Sequence, residues 1–493
     1  TCALVPRDTP GVSIGRRHDP MGVPFQNGPI EGKDVFVPID AIIGGPARAG
    51  QGWRMLMESL AAGRSISLPA LSVGAAQLAT RVVGAYGTVR EQFDTPIGRF
   101  EGVEEPLARI GCFTYMMSAA RTLTCGALDL GHQPSVISAI VKAYLTDGMR
   151  RCVTDAMDIR AGAAIMRGPR NILARVYQAV PIGITVEGSN ILTRSMIIYG
   201  QGAIRCHPFV QEEIDAAAAD DVPRFDRALF GHLGHATTNA VRALLMGSSG
   251  ARLGPHHINP HVAPHVRQLT RLSAAFATAS EFAMFTLGGR LKRREKISGR
   301  LADCLAWLYL ASATLKRYSD DWQRADDLPF VHWVCRHAAF EIQAALEGIC
   351  DNLDNRPAAA LLRLLVLPPG SRVSPPGDRL GSDVARALLE DREERERLTA
   401  DIHVPEHAEA GLGALERALD EAVEALAVER RLRDAVRAGR LDKAPGLALA
   451  QAGLEAGEIT QREFDQIAAA DACRDEAVEV DSFTQRQYSR LRG

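Results

Sequence analysis

The residues best placed to do chemistry lie in Thr185-Val186-Glu187-Gly188-Ser189-Asn190. Glu187 stands between an apolar stretch, Val180-Pro181-Ile182-Gly183-Ile184, and a helix-like run from Ile191 to Ile198. A carboxylate flanked in this way is partly desolvated, which suits a general base. Gly188 lets another group come close to the backbone. Ser189 or Asn190 is placed to cap the following helix, whose first amides would suit a phosphate or a polarised carbonyl. The simpler reading, a first-turn carboxylate favoured by the helix dipole, stands beside the catalytic one. Other chemistries find less support. There is no GxxxxGK[ST], HExxH or GxSxG segment. In the cluster from His256 to His265, His257, His261 and His265 recur every four residues, but Pro260 and Pro264 interrupt the helix that would align them. No metal site is therefore expected.

The elements that must position Glu187 are mostly helical. Val12–Gly15, Phe25–Ile30 and Asp34–Pro38 are short β-prone runs, and Asn27-Gly28 between them is a turn dipeptide. So few strands leave an uncovered face, as expected of the end of a larger β-domain. From about Gly50 the apolar residues take helical spacing, with stretches near 68–92, 103–130, 134–166, 170–182 and 189–199. Short breaks between long helices suggest an up-and-down bundle. Ile137–Leu145 is rich enough in small and apolar residues to pack between neighbours. A second helical region begins near residue 212 and is broken by the proline-rich stretch around 367–377. This divides the chain into a β-remnant (1–48), a helical bundle carrying Glu187 (49–211) and a helical extension (212–493).

Composition bounds the function. The 493 residues are 46% hydrophobic and 24% charged, with a formal net charge of −2. No global basic field exists to hold nucleic acid. Nine cysteines without a CxxC pair fit a reducing, cytoplasmic setting. Neither a signal peptide nor an apolar run of spanning length is expected.

Three segments resemble one family. Val186-Glu187-Gly188-Ser189-Asn190-Ile191-Leu192-Thr193-Arg194 is similar to the acyl-CoA dehydrogenase signature, aromatic-Glu-Gly-Thr-x-x-Ile-x-Arg. Tyr86-Gly87-Thr88-Val89-Arg90-Glu91-Gln92-Phe93-Asp94 resembles the family's Tyr-x-x-x-Arg-x-x-Phe-Gly. Between them, Thr154–Gly162 resembles a helix ending at a glycine-rich turn. The extension resembles that of the enlarged bacterial fatty-acid β-oxidation enzymes.

The resemblance implies a mainly α fold and FAD-dependent conversion of medium- or long-chain fatty acyl-CoA to trans-2-enoyl-CoA. It makes Glu187 the α-proton acceptor, with Arg64 and Gly188 on the substrate side. It places Arg90, Phe93 and Ser189 at the cofactor. It also implies an electron-transfer flavoprotein as oxidant, a homo-oligomer, and peripheral contact with the inner membrane. Gln92, Asp94, Asp158 and the glycine-poor Arg160–Ala164 depart from the pattern, and their added side chains are expected to hinder approach by the adenosine part of FAD. A non-catalytic helical scaffold or membrane-docking module, and an acyl-CoA oxidase, are the alternative readings.

Overall fold

A computed structural model describes residues 1–24, 26–202, 206–255 and 259–492. The protein is mainly α-helical. Its longer helices are α1 (Gly52–Val89), α2 (Glu101–Asp129), α3 (Ser135–Arg160), α4 (Ala174–Thr185) and α5 (Val210–Ala218). They continue with α6 (Val222–Ser248), α7 (Ala263–Leu287), α8 (Glu295–Asp320), α9 (Leu328–Asn352) and α10 (Arg356–Val366). The last are α11 (Asp378–Glu390), α12 (Leu412–Arg437), α13 (Gly446–Glu455) and α14 (Gln461–Val478). Their starts follow local chemistry. Asp221 accepts from the Arg224 amide at 3.1 Å ahead of α6, and Asn355 does the same for Ala358 ahead of α10. Thr460 and Glu463 form a reciprocal capping box on α14.

Strands are few. β1 (Val12–Ile14) pairs antiparallel with β2 (Ile30–Gly32), with Ser13 opposite Glu31. β3 (Glu91–Gln92) pairs with β4 (Thr95–Pro96). The strand expected at Asp34–Pro38 does not form. Asp34 takes a left-handed φ of +51°, which turns the chain away, and Pro38 has no amide to give a ladder. Phe36 there is 80% exposed.

The helices group into two compact units, each assembled from three separated segments. The first contains Thr1–Val73, Tyr115–Gly148 and Gln178–Gly377. Its core lies among α7, α8, α9 and α10, around Leu272, Leu301, Ile342, Leu346 and Leu362. Alanines 275, 279, 302 and 306 let these helices approach closely. Arg271 is fully buried within it, and burial lowers its guanidinium to about 10.

The second unit contains Gly74–Thr114, Met149–Tyr177 and Asp378–Gly493. In one part, Ala425, Val428 and Leu432 of α12 share a core with Ile467 and Ala470 of α14. Elsewhere in this unit the Thr80 and Thr114 hydroxyls lie 2.8 Å apart, and both donate to the Ala76 carbonyl.

One stretch, Gly63–Val89, is long and apolar enough by length and composition to cross a membrane, which corrects the expectation that none exists. Since 61% of its most apolar window is buried inside the protein, it is accounted for as a core helix.

Arg81 is held bidentately by Glu416 at 2.7 and 2.9 Å, and also donates to Thr399 at 3.2 Å. Arg395 lies 3.7 Å from the same carboxylate, with all three side chains almost wholly buried. Removing Glu416 would leave two guanidinium groups without their shared counter-charge. Glu416→Gln is therefore expected to cost about 3–5 kcal/mol in denaturant unfolding. The control Arg99→Gln, which breaks an exposed pair with Glu390, should cost at most about 1 kcal/mol.

Candidate active site

Helix α4 ends at Thr185, and the chain reverses through two consecutive left-handed residues, Glu187 at φ +57° and Gly188 at +91°. A non-glycine residue in that region is strained unless its surroundings hold it there. The holding group is Lys142 on α3. Its ammonium donates to the carbonyls of Ile184 (3.2 Å) and Gly188 (2.7 Å) and to Oδ1 of Asn190 (2.9 Å). Three acceptors use all three donors of a protonated lysine. Asn190 then returns to α3, donating to the Ala143 carbonyl (3.0 Å) and the Thr146 hydroxyl (2.9 Å). Burial, reinforced by the charge of Arg64, lowers the Lys142 ammonium to about 8, while Glu187 opposes the shift.

Glu187 is half-buried, and its Oε2 is enclosed without a hydrogen-bond partner. Arg64 on α1 is 7% exposed, and its Nε is likewise unsatisfied. Burial lowers the Arg64 pKa, and the Glu187 charge acts against that burial. A methyl group added at Gly188 would lie 3.3 Å from the Thr193 hydroxyl and 3.9 Å from Arg64 Nη2, so Gly188 keeps this corner open. Ser189 is exposed, and its hydroxyl does not cap the short helix Asn190–Leu192. The capping role read from sequence is therefore not taken up by Ser189, and the Asn190 amide is spent on α3. Beyond this turn the chain forms a wider π-helical segment, Thr193–Gln201, a form often found at functional sites. Arg194 within it forks onto Asp303 of α8, which also accepts from the Tyr144 hydroxyl at 2.5 Å.

Glu187, Gly188, Ser189 and Arg64 thus belong to the first unit, whereas Arg90 and Phe93 belong to the second. Arg90 follows the end of α1, with its amide on the Tyr86 carbonyl (2.9 Å) and its own carbonyl accepting from Ile97 (2.8 Å). Phe93 and Asp94 form the left-handed turn between β3 and β4, with φ of +54° and +56°. This turn leaves the Phe93 ring 91% exposed. Ala161 also adopts a left-handed φ, +47°, at a turn where the family has glycine.

The description "Acyl-CoA dehydrogenase, C-terminal domain" matches residues 50–200, and "Acyl-CoA dehydrogenase, C-terminal, bacterial type" matches 204–483. The second match alone covers more than half of the chain. The chain belongs to the acyl-CoA dehydrogenase family. It is 26% identical over 366 residues to a probable acyl-CoA dehydrogenase, FadE10, of Mycobacterium bovis, covering 71% of this chain and 55% of that protein. A local match, 62% over 85 residues, is to Protein HemX of Proteus mirabilis; it covers 17% of this chain and 50% of that protein. Among solved structures, the fold is similar to an acyl-CoA dehydrogenase complexed with FAD from Bacillus anthracis. That likeness has a TM-score of 0.60 at 18% identity, covering 79% of this chain and 65% of that one. The chain spans about half the length of the curated relatives it matches.

Sequence reading missed two features of this acyl-CoA dehydrogenase family member. One is the Lys142–Asn190 clamp. The other joins His207, His232, Glu213 and Glu281. His207 Nε2 meets Glu281 at 2.8 Å, while His232 lies between Glu213 (2.8 Å) and Glu281 (2.9 Å). Two histidines and a glutamate at this spacing could hold a metal ion. However, His207 Nδ1 accepts from the amides of Phe209 and Val210 at 3.2 and 3.1 Å, capping α5. That leaves the proton of neutral His207 on Nε2, where a metal would have to bind. The group reads instead as a partly buried hydrogen-bonded network. No short sequence spacing announces it, since its bonded pairs lie 19 to 74 residues apart. In the earlier histidine cluster, His256 and His257 lie outside the described residues, and His265 pairs with His332 at 2.7 Å. Burial, with the charges of His332 and Arg336, lowers His265 to about 4.

Two measurements follow. Lys142→Met would strand the Ile184 carbonyl and Asn190 Oδ1, leaving Gly188 O only the Thr193 hydroxyl, and should lower unfolding stability by about 3 kcal/mol. Near-wild-type stability would contradict the clamp. For His232, burial opposes the charged form, but the hydrogen bonds to Glu281 and Glu213 prevail and raise the pKa above 6.5. Its stabilisation is complete below about pH 6.5 and is lost as pH rises through the folded-state pKa. His232→Asn should remove that loss from a plot of unfolding free energy against pH.

Proposed function

We propose that this chain carries the base-bearing helical part of an FAD-dependent dehydrogenase acting on medium- or long-chain fatty acyl-CoA. The product is the trans-2-enoyl-CoA that opens fatty-acid β-oxidation. The observation that carries this reading is the Glu187 carboxylate, enclosed with one oxygen unsatisfied and supported by a left-handed turn beside Arg64. An orphaned buried carboxylate oxygen is costly unless another group completes its surroundings. A C–H acid brought against it would do so by giving up its proton.

In this reading Glu187 takes the α-proton of the thioester, and the electron pair of that bond becomes the second bond between Cα and Cβ. FAD, when bound, supplies the acceptor for the hydride that leaves Cβ. Arg64 places a positive charge beside the base and the developing enolate, where a fixed cation is most effective away from water. Gly188 keeps space for the acyl chain. Arg90, Phe93 and Ser189 fit a cofactor role: Arg90 is a half-buried cation, and the other two are exposed. Residues 49–211 hold this machinery, with a β-remnant before it and the 212–493 extension after it. An electron-transfer flavoprotein as oxidant, a homo-oligomer, and a cytoplasmic location with peripheral inner-membrane contact complete the proposal.

The test is anaerobic bleaching of the holoprotein's flavin absorbance by palmitoyl-CoA. Glu187→Gln is expected to slow bleaching by on the order of 10²- to 10⁴-fold while leaving acyl-CoA binding largely intact. Equal reduction rates would remove Glu187 from the role of base.

A further inference from the structure

Lys142 ties the Glu187 turn to α3 on one side, and on the other the chain runs into the π-helical segment Thr193–Gln201. What holds that segment comes from α8. Arg194 Nε donates to Asp303 Oδ1 at 2.6 Å, and Nη2 donates to Oδ2. The Tyr144 hydroxyl, on α3 two residues beyond Lys142, donates to the same Oδ1 at 2.5 Å. Burial and the Asp303 charge raise the Tyr144 phenol well above its usual pKa, so it stays a donor. Gly299 stands one turn before Asp303 on the same face of α8. A methyl group there would lie 2.6 Å from Arg194 Nη1 and 3.0 Å from Cζ. The missing side chain makes room for the guanidinium, and the carboxylate four residues on receives it.

Packing joins the same elements. Ile198 and Tyr199 of the π-helical segment share a core with Ile140 of α3 and with Leu301 and Cys304 of α8. The Tyr199 ring meets Phe276 of α7 edge-on at 6.2 Å, and Tyr144 meets Trp307 of α8 in the same way at 6.1 Å. Lys142, Glu187 and Arg194 fall within the family match at 50–200, whereas α8 falls within the bacterial-type match at 204–483. One matched region therefore braces the other on both sides of the candidate base.

We propose that α8 is a positioning element for the base: its Gly299–Asp303 socket takes Arg194 and Tyr144, and so fixes where the Glu187 carboxylate stands. The inference rests on the reading of Glu187 as the base, and it gives the C-terminal extension a part in that site. Asp303, Arg194 and Tyr144 are positioning residues, because they act on Glu187 through the backbone between them. Proton removal needs the acceptor held in place, and a displacement of about 1 Å can cost on the order of 10²-fold in rate. The alternative is a structural ion pair. The Arg194 side chain is 43% exposed, and a bridge so open to water would add little beyond packing.

Two readouts on the full chain separate these roles. The first is amide hydrogen exchange in the flavin-free chain over residues 185–193, where the Val186 and Thr193 amides are bonded at 2.9 and 2.8 Å. Asp303→Asn is expected to speed exchange there at least about fivefold, while the core of α12 and α14 exchanges as in the wild type. The second is anaerobic flavin bleaching by saturating palmitoyl-CoA, with acyl-CoA affinity measured alongside. Asp303→Asn and Arg194→Gln should each slow bleaching about tenfold and leave the affinity within about twofold. The double variant should be no slower than the slower single one, because both break one tie. Bleaching within about twofold of wild type, or penalties that multiply in the double variant, would overturn the proposal. Unchanged exchange over 185–193 would overturn it too. If Asp303→Asn does not fold, Tyr144→Phe decides in its place: bleaching slowed at least about threefold supports the socket, and an unchanged rate sinks it. Glu187→Gln keeps the two readings apart. If that variant bleaches as fast as wild type, the base reading fails and this inference falls with it. If it bleaches slowly while Asp303→Asn does not, only this inference falls.

Discussion

One ammonium group sets the geometry on which the candidate site depends. Lys142 faces three oxygens from the Ile184–Asn190 segment, and a protonated lysine has three hydrogens to give them. Through those contacts the end of α4, the left-handed Glu187–Gly188 pair and the first residue of the next helix are tied to α3. The Asn190 amide completes the tie by reaching Ala143 and Thr146, both within about one turn of Lys142. Strain at Glu187 persists because these bonds overdetermine the turn. The turn that carries the Glu187 carboxylate is thus held by groups on a neighbouring helix.

Parts of this were legible in the sequence and parts were not. The helices announced themselves through apolar spacing. Glu187 stood out as a carboxylate between apolar stretches, and the resemblance around it drew attention to Arg64. Lys142 left no such mark. It sits in Ile137–Leu145, a run read only as packing material, and its partners lie 42 to 48 residues away. A residue whose role is to satisfy distant carbonyls carries no local pattern. The same limit hid Glu281 and His232, and it hid Glu416, which lies 335 residues from Arg81. Asp34–Pro38 misled in the opposite direction, because β-prone side chains cannot make a strand where the backbone turns at Asp34.

The arginines show how differently one residue type can be used. Arg81 shares Glu416 with Arg395 and belongs to the framework of its unit. Arg194 forks onto Asp303 and anchors the π-helical segment to α8. Arg64 and Arg160 keep unsatisfied nitrogens, one in the unit of Glu187 and the other beside a cavity. An incomplete guanidinium does not by itself mark a ligand site, because Arg271 in a helical core and Arg395 beside Glu416 also keep unsatisfied nitrogens.

Interleaved segments also constrain how the chain can acquire its form during synthesis. Gly74–Thr114 and Met149–Tyr177 belong with Asp378–Gly493, so their compact unit cannot close until that later segment has been made. At roughly 5–20 residues per second, the early helices must wait tens of seconds for that partner. Meanwhile Arg81 lacks Glu416, the Thr88 hydroxyl lacks the Leu389 carbonyl, and Glu104 lacks Ser382. A ribosome-associated chaperone would have most to protect during that interval, and a premature stop near residue 377 would leave those groups without these partners for good.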